Sequence, residues 1–336
     1  MSRAGSCFSS EREINLQRGF FLGVPGLDVA ALRLKFRGSM LGTGVGDALG
    51  RPLEGGVFRL VVEQPEFDGR YTDDTEMMIG VAESLVEVGG FDGEHMARTF
   101  MRNYDPDLDR AVRRYGPGPP TVFRLIERGE RWDAASRRLF GGEGSFGNGA
   151  AMRIAPVGLL YFDEPEALRK ITEQSSLITH AHPLGVEGAV VQAYAVALAV
   201  KSKPPSLNPR EFLEELEAFT REEVYREALR EAALLLDERA DRRKVVSALG
   251  NGVEAFRSVP TAIYCFAANA ESFEKTVLYA ISLGGDTDTI GAMAGAISGA
   301  YHGEEKIPSE WVRKLENADY IASLADRLLE LKLKQQ

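Results

Sequence analysis

Cysteine is nearly absent from this 336-residue chain: only Cys7 and Cys265 occur. Two thiols so far apart build neither a disulfide framework nor a thiolate metal site. Cys265, inside AIYCFAAN, reads as a small buried apolar side chain. Histidine is scarce too, with four in all, and His180 and His182 in THAHPLG have no obvious third nitrogen ligand to make a zinc site. Long apolar runs are missing. The most apolar stretch, Ala189 to Val200, is too short to span a bilayer and carries Gln192. The opening MSRAGSCFSSEREINLQRGF lacks the apolar h-region of a signal peptide. A cytoplasmic protein without a membrane partner is therefore expected. An excess of positive charge is missing as well: 40 Lys and Arg against 50 Asp and Glu leave a net charge of -10. That argues against direct nucleic-acid binding, which needs a basic face. The basic spots RAVRRYG (110–116) and RRK (242–244) are interleaved with acids and read as solvated faces.

Strand patterns are also lacking, since no run of alternating β-branched residues qualifies. The composition, 44% hydrophobic and 27% charged, is that of a soluble globular protein. Helical period is nearly everywhere. Over Asp74–Val88, the apolar positions Met78, Val81, Ala82, Leu85 and Val88 fall on one helix face. Glu211–Leu236, Arg243–Phe256, Ser258–Ala270 and Ser272–Leu283 behave likewise. Loops are expected at Glu54–Arg70, Tyr104–Pro120, Gly141–Gly149 and Lys203–Pro209. Residues 1–27 read as a loose extension, and 28–336 as one all-α domain of ten or more helices.

Glycine is abundant in two of those helices. Gly38, Gly42, Gly46 and Gly50 recur every fourth residue, as do Gly291, Gly295 and Gly299. Each helical glycine costs about 1 kcal/mol relative to alanine, so close backbone contact between the two helices is the expected compensation. Antiparallel packing would bring Asp47 and Glu54 to Asp286 and Asp288.

Two acidic clusters stand at helix starts: YTDDTEMM around Thr72, Asp73 and Asp74, and SLGGDTDTIG with Asp286, Asp288 and Thr289. Either one alone also suits helix capping. Each, however, offers two carboxylates plus hydroxyls where one oxygen would do, and Glu54 brings the acids to five. Gathered together they need cations. Hard oxygen donors select Mg²⁺, with Mn²⁺ as the alternative, and paired clusters point to two ions. A glycine-rich stretch, LFGGEGSFGNGAAMR (139–153), could cradle phosphate with free backbone N–H groups or be an ordinary turn. It lacks the Lys-Ser/Thr ending of a P-loop. RYGPGPPTVF (114–123) could shape a sugar pocket or simply turn the chain.

GVGDALGRPLE, YTDDTEMM, GSFGNGAAMR, THAHPLG and SLGGDTDTIGAMAGAISGAYHG occur in the order found in the ADP-ribosylglycohydrolase family, which the chain resembles over residues 33–335. NGVEAFRSVPTAIYCF looks most like the ADP-ribosylhydrolase 3 branch. That branch acts on serine-linked ADP-ribose, O-acetyl-ADP-ribose and poly(ADP-ribose). The arginine-specific branch, of the dinitrogenase reductase-activating type, is the alternative. The resemblance implies an orthogonal helical bundle around a cleft holding two Mg²⁺ ions. It implies Glu54, Thr72, Asp73, Asp74, Asp286, Asp288 and Thr289 as metal ligands. Gly144, Ser145, Phe146, Gly147 and Asn148 would hold the diphosphate and adenosine, with His180 near the phosphates. Phe140 and Phe146 would bracket the adenine, Gly116 and Gly118 would line the distal ribose, and Val253 would lie on the adenosine side. Phe146 stands where the branch typically has Tyr, which keeps stacking and loses a phenolic hydrogen bond. Pro117 and Pro119 stiffen the loop beside the ribose.

The expected partners are ADP-ribose and ADP-ribosylated proteins or peptides, bound by a monomer. Glu54 is assigned as acid/base, because the long loop after Gly50 would let it swing between metal and scissile oxygen, with Asp74 and Asp288 as runners-up. A hydrolase of another nucleoside diphosphate, an inactive ADP-ribose-binding relative and a purely structural helical protein with heavily capped helices are the rival readings.

Overall fold

The computed structural model describes residues 28–57 and 67–335; the expected loose extension over residues 1–27 lies outside them. The chain runs through α1 (Val29–Gly50), α2 (Asp73–Val88), α3 (Gly93–Asn103), the single turn α4 (Pro106–Leu108) and α5 (Gly118–Glu127). After several 3-10 turns come α6 (Ala155–Leu160), α7 (Pro165–Ser176) and α8 (Pro183–Lys201). Then follow α9 (Pro209–Phe219), α10 (Glu223–Asp237), α11 (Arg242–Leu249), α12 (Ala255–Ala268) and α13 (Phe273–Ile281). The last are α14 (Thr287–His302), α15 (Ser309–Lys314) and α16 (Ala318–Gln335). Among the described residues there is no strand, so the all-α expectation holds.

The spine is the antiparallel pair α1 and α14, joined as the glycine stripes predict. Gly38 meets Gly299, Gly42 meets Gly295 and Gly46 meets Gly291. A Cβ added at Gly46 would sit 2.0 Å from the Gly291 carbonyl oxygen, and one at Gly299 would sit 1.9 Å from that of Gly38. Backbone fills the space a side chain would need. The Ser39 and Thr287 hydroxyls cross the seam to the carbonyls of Ala296 and Gly50, each at 2.9 Å. Phe36, Met40, Val45, Ile290, Met293 and Ile297 extend the contact into the buried core.

Packed on this spine, α8 is longer than its apolar run, because the helix starts at Pro183. Its 19 residues suffice by length and composition to cross a membrane, yet 83% of the apolar window is buried inside the fold. Gln192, the polar break in the run, donates to the Met293 carbonyl at 3.0 Å. Cys265 is buried as expected, and burial pushes its thiol pKa up.

Four expectations change. Glu211–Leu236 is two helices, broken where Thr220 turns to ψ 138°. The segment expected as Arg243–Phe256 ends at Leu249, because Gly250 takes φ 90° and releases the chain toward the site. The loop expected over Tyr104–Pro120 contains α4, a π turn (Asp109–Arg113) and the start of α5. Finally, the basic spots are only partly solvated. Arg113 is buried: it donates to the Tyr71 carbonyl and to Glu316, both at 2.8 Å, pairs with Glu76, and lies 4.0 Å over the Tyr71 ring. Arg242 lies 4.6 Å over the ring of Tyr279.

Candidate active site

The acids reach the site on helix starts, but capping is not their work. Thr72 caps α2, its hydroxyl accepting from the Asp74 N–H at 3.4 Å. Asp47 of α1 holds the same turn. Its carboxylate accepts from the N–H of Thr72 at 2.9 Å, the N–H of Thr75 at 3.1 Å and the Thr75 hydroxyl at 2.6 Å. Asp73 and Asp74 are thereby free to face the cavity. At α14, Asp286 occupies the cap position but makes no cap hydrogen bond. Its carboxylate instead accepts from Asn148 Nδ2 at 2.6 Å, and its own N–H donates to the Asn251 carbonyl at 2.9 Å.

Glu54, Asp286 and Asp288 each place a carboxylate oxygen within 4.8 Å of the others. Asp73, Asp74 and Thr289 line the same cavity, about 190 Å³ in volume. Thr289 Oγ1 lies 3.5 Å from Asp74 Oδ1. Asp74 Oδ2 is buried and has no hydrogen-bond partner among the described residues. Burial, then the neighbouring carboxylates, hold Asp73, Asp74 and Asp288 well above the usual carboxylate range. Burial raises Asp286 as well, and it raises Asp47 to about 6. Among the cavity-lining residues Arg114 is the only arginine or lysine, its Nη1 2.7 Å from Glu54 Oε2. Crowded oxygen donors, one of them orphaned, fit divalent cations.

The facing wall is the glycine-rich loop, tied to the segment released by Gly250. The Asn148 N–H donates to the Val253 carbonyl at 2.9 Å, and the Ala255 N–H to that of Phe146 at 3.0 Å. Gly285 joins the acidic wall to the same segment. It has φ 71°, and an added Cβ would stand 2.2 Å from the Asn251 carbonyl oxygen.

Of the residues expected at the site, Gly116, Gly147, Asn148, His180 and Val253 line the cavity with the acids. The remainder stand behind it or outside its lining. Thr72 is buried beneath Asp74, and Gly118 opens α5. Gly144 is packed against the Ala181–His182 backbone, and Ser145 Oγ accepts from the Gly147 N–H at 3.1 Å. Phe140 and Phe146 are 64% and 44% exposed. The Phe146 ring meets His182 edge-on at 5.6 Å. Sequence reasoning brought Asp47 to the acids without giving it the work of holding α2, and it gave Arg114 and Asn251 no place at the site. The place of Asp47 between Gly46 and Gly50 was the available signal for the first. Nothing local sets Arg114 apart from its neighbours.

Residues 28–336 match the family model ADP-ribosylglycohydrolase. ADP-ribosylhydrolase ARH3 of Bos taurus is 37% identical over 91% of this chain and 95% of its own length. The Homo sapiens protein of that name is 39% identical over 77% and 78%. ADP-ribosylarginine hydrolase Tri1 of Serratia proteamaculans is 24% identical, over 88% of this chain and 78% of its own. The solved structure of an "ADP-ribosylglycohydrolase-related protein complex" gives a TM-score of 0.71 at 26% identity, covering 90% of this chain and 99% of that one. A family model spanning the whole described bundle, joined to acids from three separate segments in one cavity, leads to one conclusion: the chain belongs to the ADP-ribosylglycohydrolase family and is an ADP-ribosylhydrolase.

Proposed function

We propose that the chain is a Mg²⁺-dependent hydrolase of the C1″–O bond that joins ADP-ribose to protein serine, and that O-acetyl-ADP-ribose and poly(ADP-ribose) are further substrates. The observation that carries this reading is the orphaned, buried Asp74 Oδ2 among four other carboxylates. That arrangement stabilises a cation and little else. Glu54, Thr72, Asp73, Asp74, Asp286, Asp288 and Thr289 would hold two Mg²⁺ ions, or Mn²⁺. Bound there, the ions would supply Lewis acidity toward substrate hydroxyls and water.

The protein's own groups have distinct work. As the C1″–O bond breaks, its electron pair leaves with the serine oxygen, and positive charge develops at C1″. One proton must reach that oxygen and one must leave the attacking water. Glu54 is the group for proton transfer: its side chain is 35% exposed, whereas Asp74 and Asp288 are buried. Its backbone has little room to swing. The N–H of Gly55 donates to the Gly285 carbonyl at 2.9 Å, and that of Gly285 to the Gly56 carbonyl at 3.1 Å. Glu54 therefore works by side-chain rotation, with Arg114 as its resting partner. Asn148 orients Asp286, and the 144–148 loop offers the diphosphate the N–H groups of Ser145 and Phe146, those of Gly144, Gly147 and Asn148 being bonded to Leu139, Ser145 and Val253.

Identity of 37–39% to the two ARH3 proteins against 24% to the arginine-directed relative supports the O-linked branch. Matched serine- and arginine-linked ADP-ribosyl peptides test it, each assayed with Mg²⁺ and with chelator. Release from the serine peptide alone, lost on chelation, is expected. Preference for the arginine peptide, or activity indifferent to chelator, would overturn it.

A further inference from the structure

Behind the glycine-rich loop stands a buried guanidinium held by neutral groups. Arg153 is fully buried, yet among the described residues no carboxylate accepts a hydrogen bond from it. Its Nη1 donates to the Thr179 hydroxyl at 2.7 Å and the Gly149 carbonyl at 3.2 Å, and its Nη2 to the Ser175 carbonyl at 3.1 Å. Its guanidinium lies 4.9 Å over the Phe100 ring. The Thr179 oxygen is also 2.8 Å from His180 Nδ1.

Donor and acceptor counting gives this chain a direction. A guanidinium only donates, so Thr179 Oγ1 must accept from Arg153. Among the described residues the Thr179 hydroxyl has no other hydrogen-bond partner, so its one hydrogen is used only if His180 Nδ1 accepts it. A ring nitrogen that accepts carries no proton, so in the neutral imidazole the proton sits on Nε2. That nitrogen faces the loop: a Cβ added at Gly149 would lie 3.0 Å from it, and one at Gly147 3.5 Å. The two glycines keep open the space in front of it, and His180 lines the cavity.

We infer that Thr179, anchored by Arg153, fixes His180 as the Nε2–H tautomer, so that His180 presents a hydrogen-bond donor to an anionic phosphate oxygen in the cavity. Thr179 and Arg153 are positioning residues and touch no substrate. Burial and then the nearby Arg153 charge hold the His180 pKa down, to about 3, so the ring donates without becoming a cation. The inference rests on the ADP-ribose reading only for the identity of the acceptor.

The test separates the two. Nitrogen-15 NMR of histidine-labelled full-length protein at neutral pH reads the tautomer without ligand, with His180→Gln assigning the signal among the four histidines. Wild type and Thr179→Ser should show a single Nε2–H form. Thr179→Val, which keeps the shape and removes the hydroxyl, should show a mixture. Calorimetry should then find ADP-ribose bound roughly tenfold more weakly by Thr179→Val, the effect of misdirecting one charge-assisted hydrogen bond, and normally by Thr179→Ser. An unchanged Nε2–H signal in Thr179→Val, or equal losses in the Ser and Val variants, would overturn the inference. Failure of wild type to bind ADP-ribose would instead overturn the ligand reading, with the tautomer result still deciding the relay.

Discussion

The interface between α1 and α14 has two parts that obey opposite rules. Between Gly38 and Gly46 on one helix and Gly291 and Gly299 on the other, backbones touch and the surroundings are apolar. Just beyond, the 3-10 turn after α1 and the start of α14 deliver Glu54, Asp286 and Asp288 into a crowd of like charges. The first part leaves no space, and the second leaves an oxygen without a partner. Rigidity in the seam is what lets the acidic end hold groups that repel one another. A looser helix pair would relax and separate them.

The largest way to break the contrast is at the acidic end. Glu54→Gln should lower turnover on the serine-linked peptide by a factor of about 10² to 10⁴, the usual worth of general acid–base catalysis. ADP-ribose affinity, measured by calorimetry, should stay close to wild type. Full activity would remove Glu54 from proton transfer.

In the seam, Gly46→Val should destabilise the fold by about 3 kcal/mol in urea unfolding, because its side chain collides with the Gly291 carbonyl. The loss should be similar with Mg²⁺ and with chelator. A dependence on Mg²⁺ would mean that seam and site are one cooperative unit.

Neutralising an acid should act in the other direction. In chelator, Asp288→Asn should raise stability by relieving the burial and repulsion of a charged carboxylate. With Mg²⁺ the variant should lose most of the stabilisation that the ion gives wild type. Destabilisation in chelator would show that Asp288 is a structural partner.

The smallest effect concerns pH. The folded-state pKa of Asp288 is raised above that of an unfolded carboxylate, so protonation favours the folded state. In chelator, wild type should therefore close the gap to Asp288→Asn as pH falls through that raised value. Melting temperatures of the two proteins across pH check this, and a gap that widens on acidification would reverse the sign.

What was legible in the sequence was what repeats or clusters. The four-residue glycine spacing gave the partner and direction of α1 and α14, and the doubled acids marked the acidic wall of the cavity. Other features depended on distant partners. Arg113 resembles its solvated neighbours until Glu76 and Glu316 are brought to it. Helical period runs straight through Thr220 because Leu216 and Tyr225, on either side, are both buried, and no glycine or proline marks the turn. Asp47 looked like one more acid, although its carboxylate positions the entire start of α2. The places of Phe140 and Phe146 are poorly specified by period alone, since exposed rings owe little to the core.

The α1–α14 seam also sets a schedule. Thr287 bonds to Gly50 across 237 positions of chain, and each stripe has its counterpart at the other end of the domain. At about 5 to 20 residues per second, a ribosome needs roughly 10 to 50 s to produce the second stripe after the first. For that time α1 carries a glycine-lined face with nothing to close it. The helix that completes the acidic cavity is the one that ends this exposure, so a newly made chain closes its cavity and its exposed helix face in the same step.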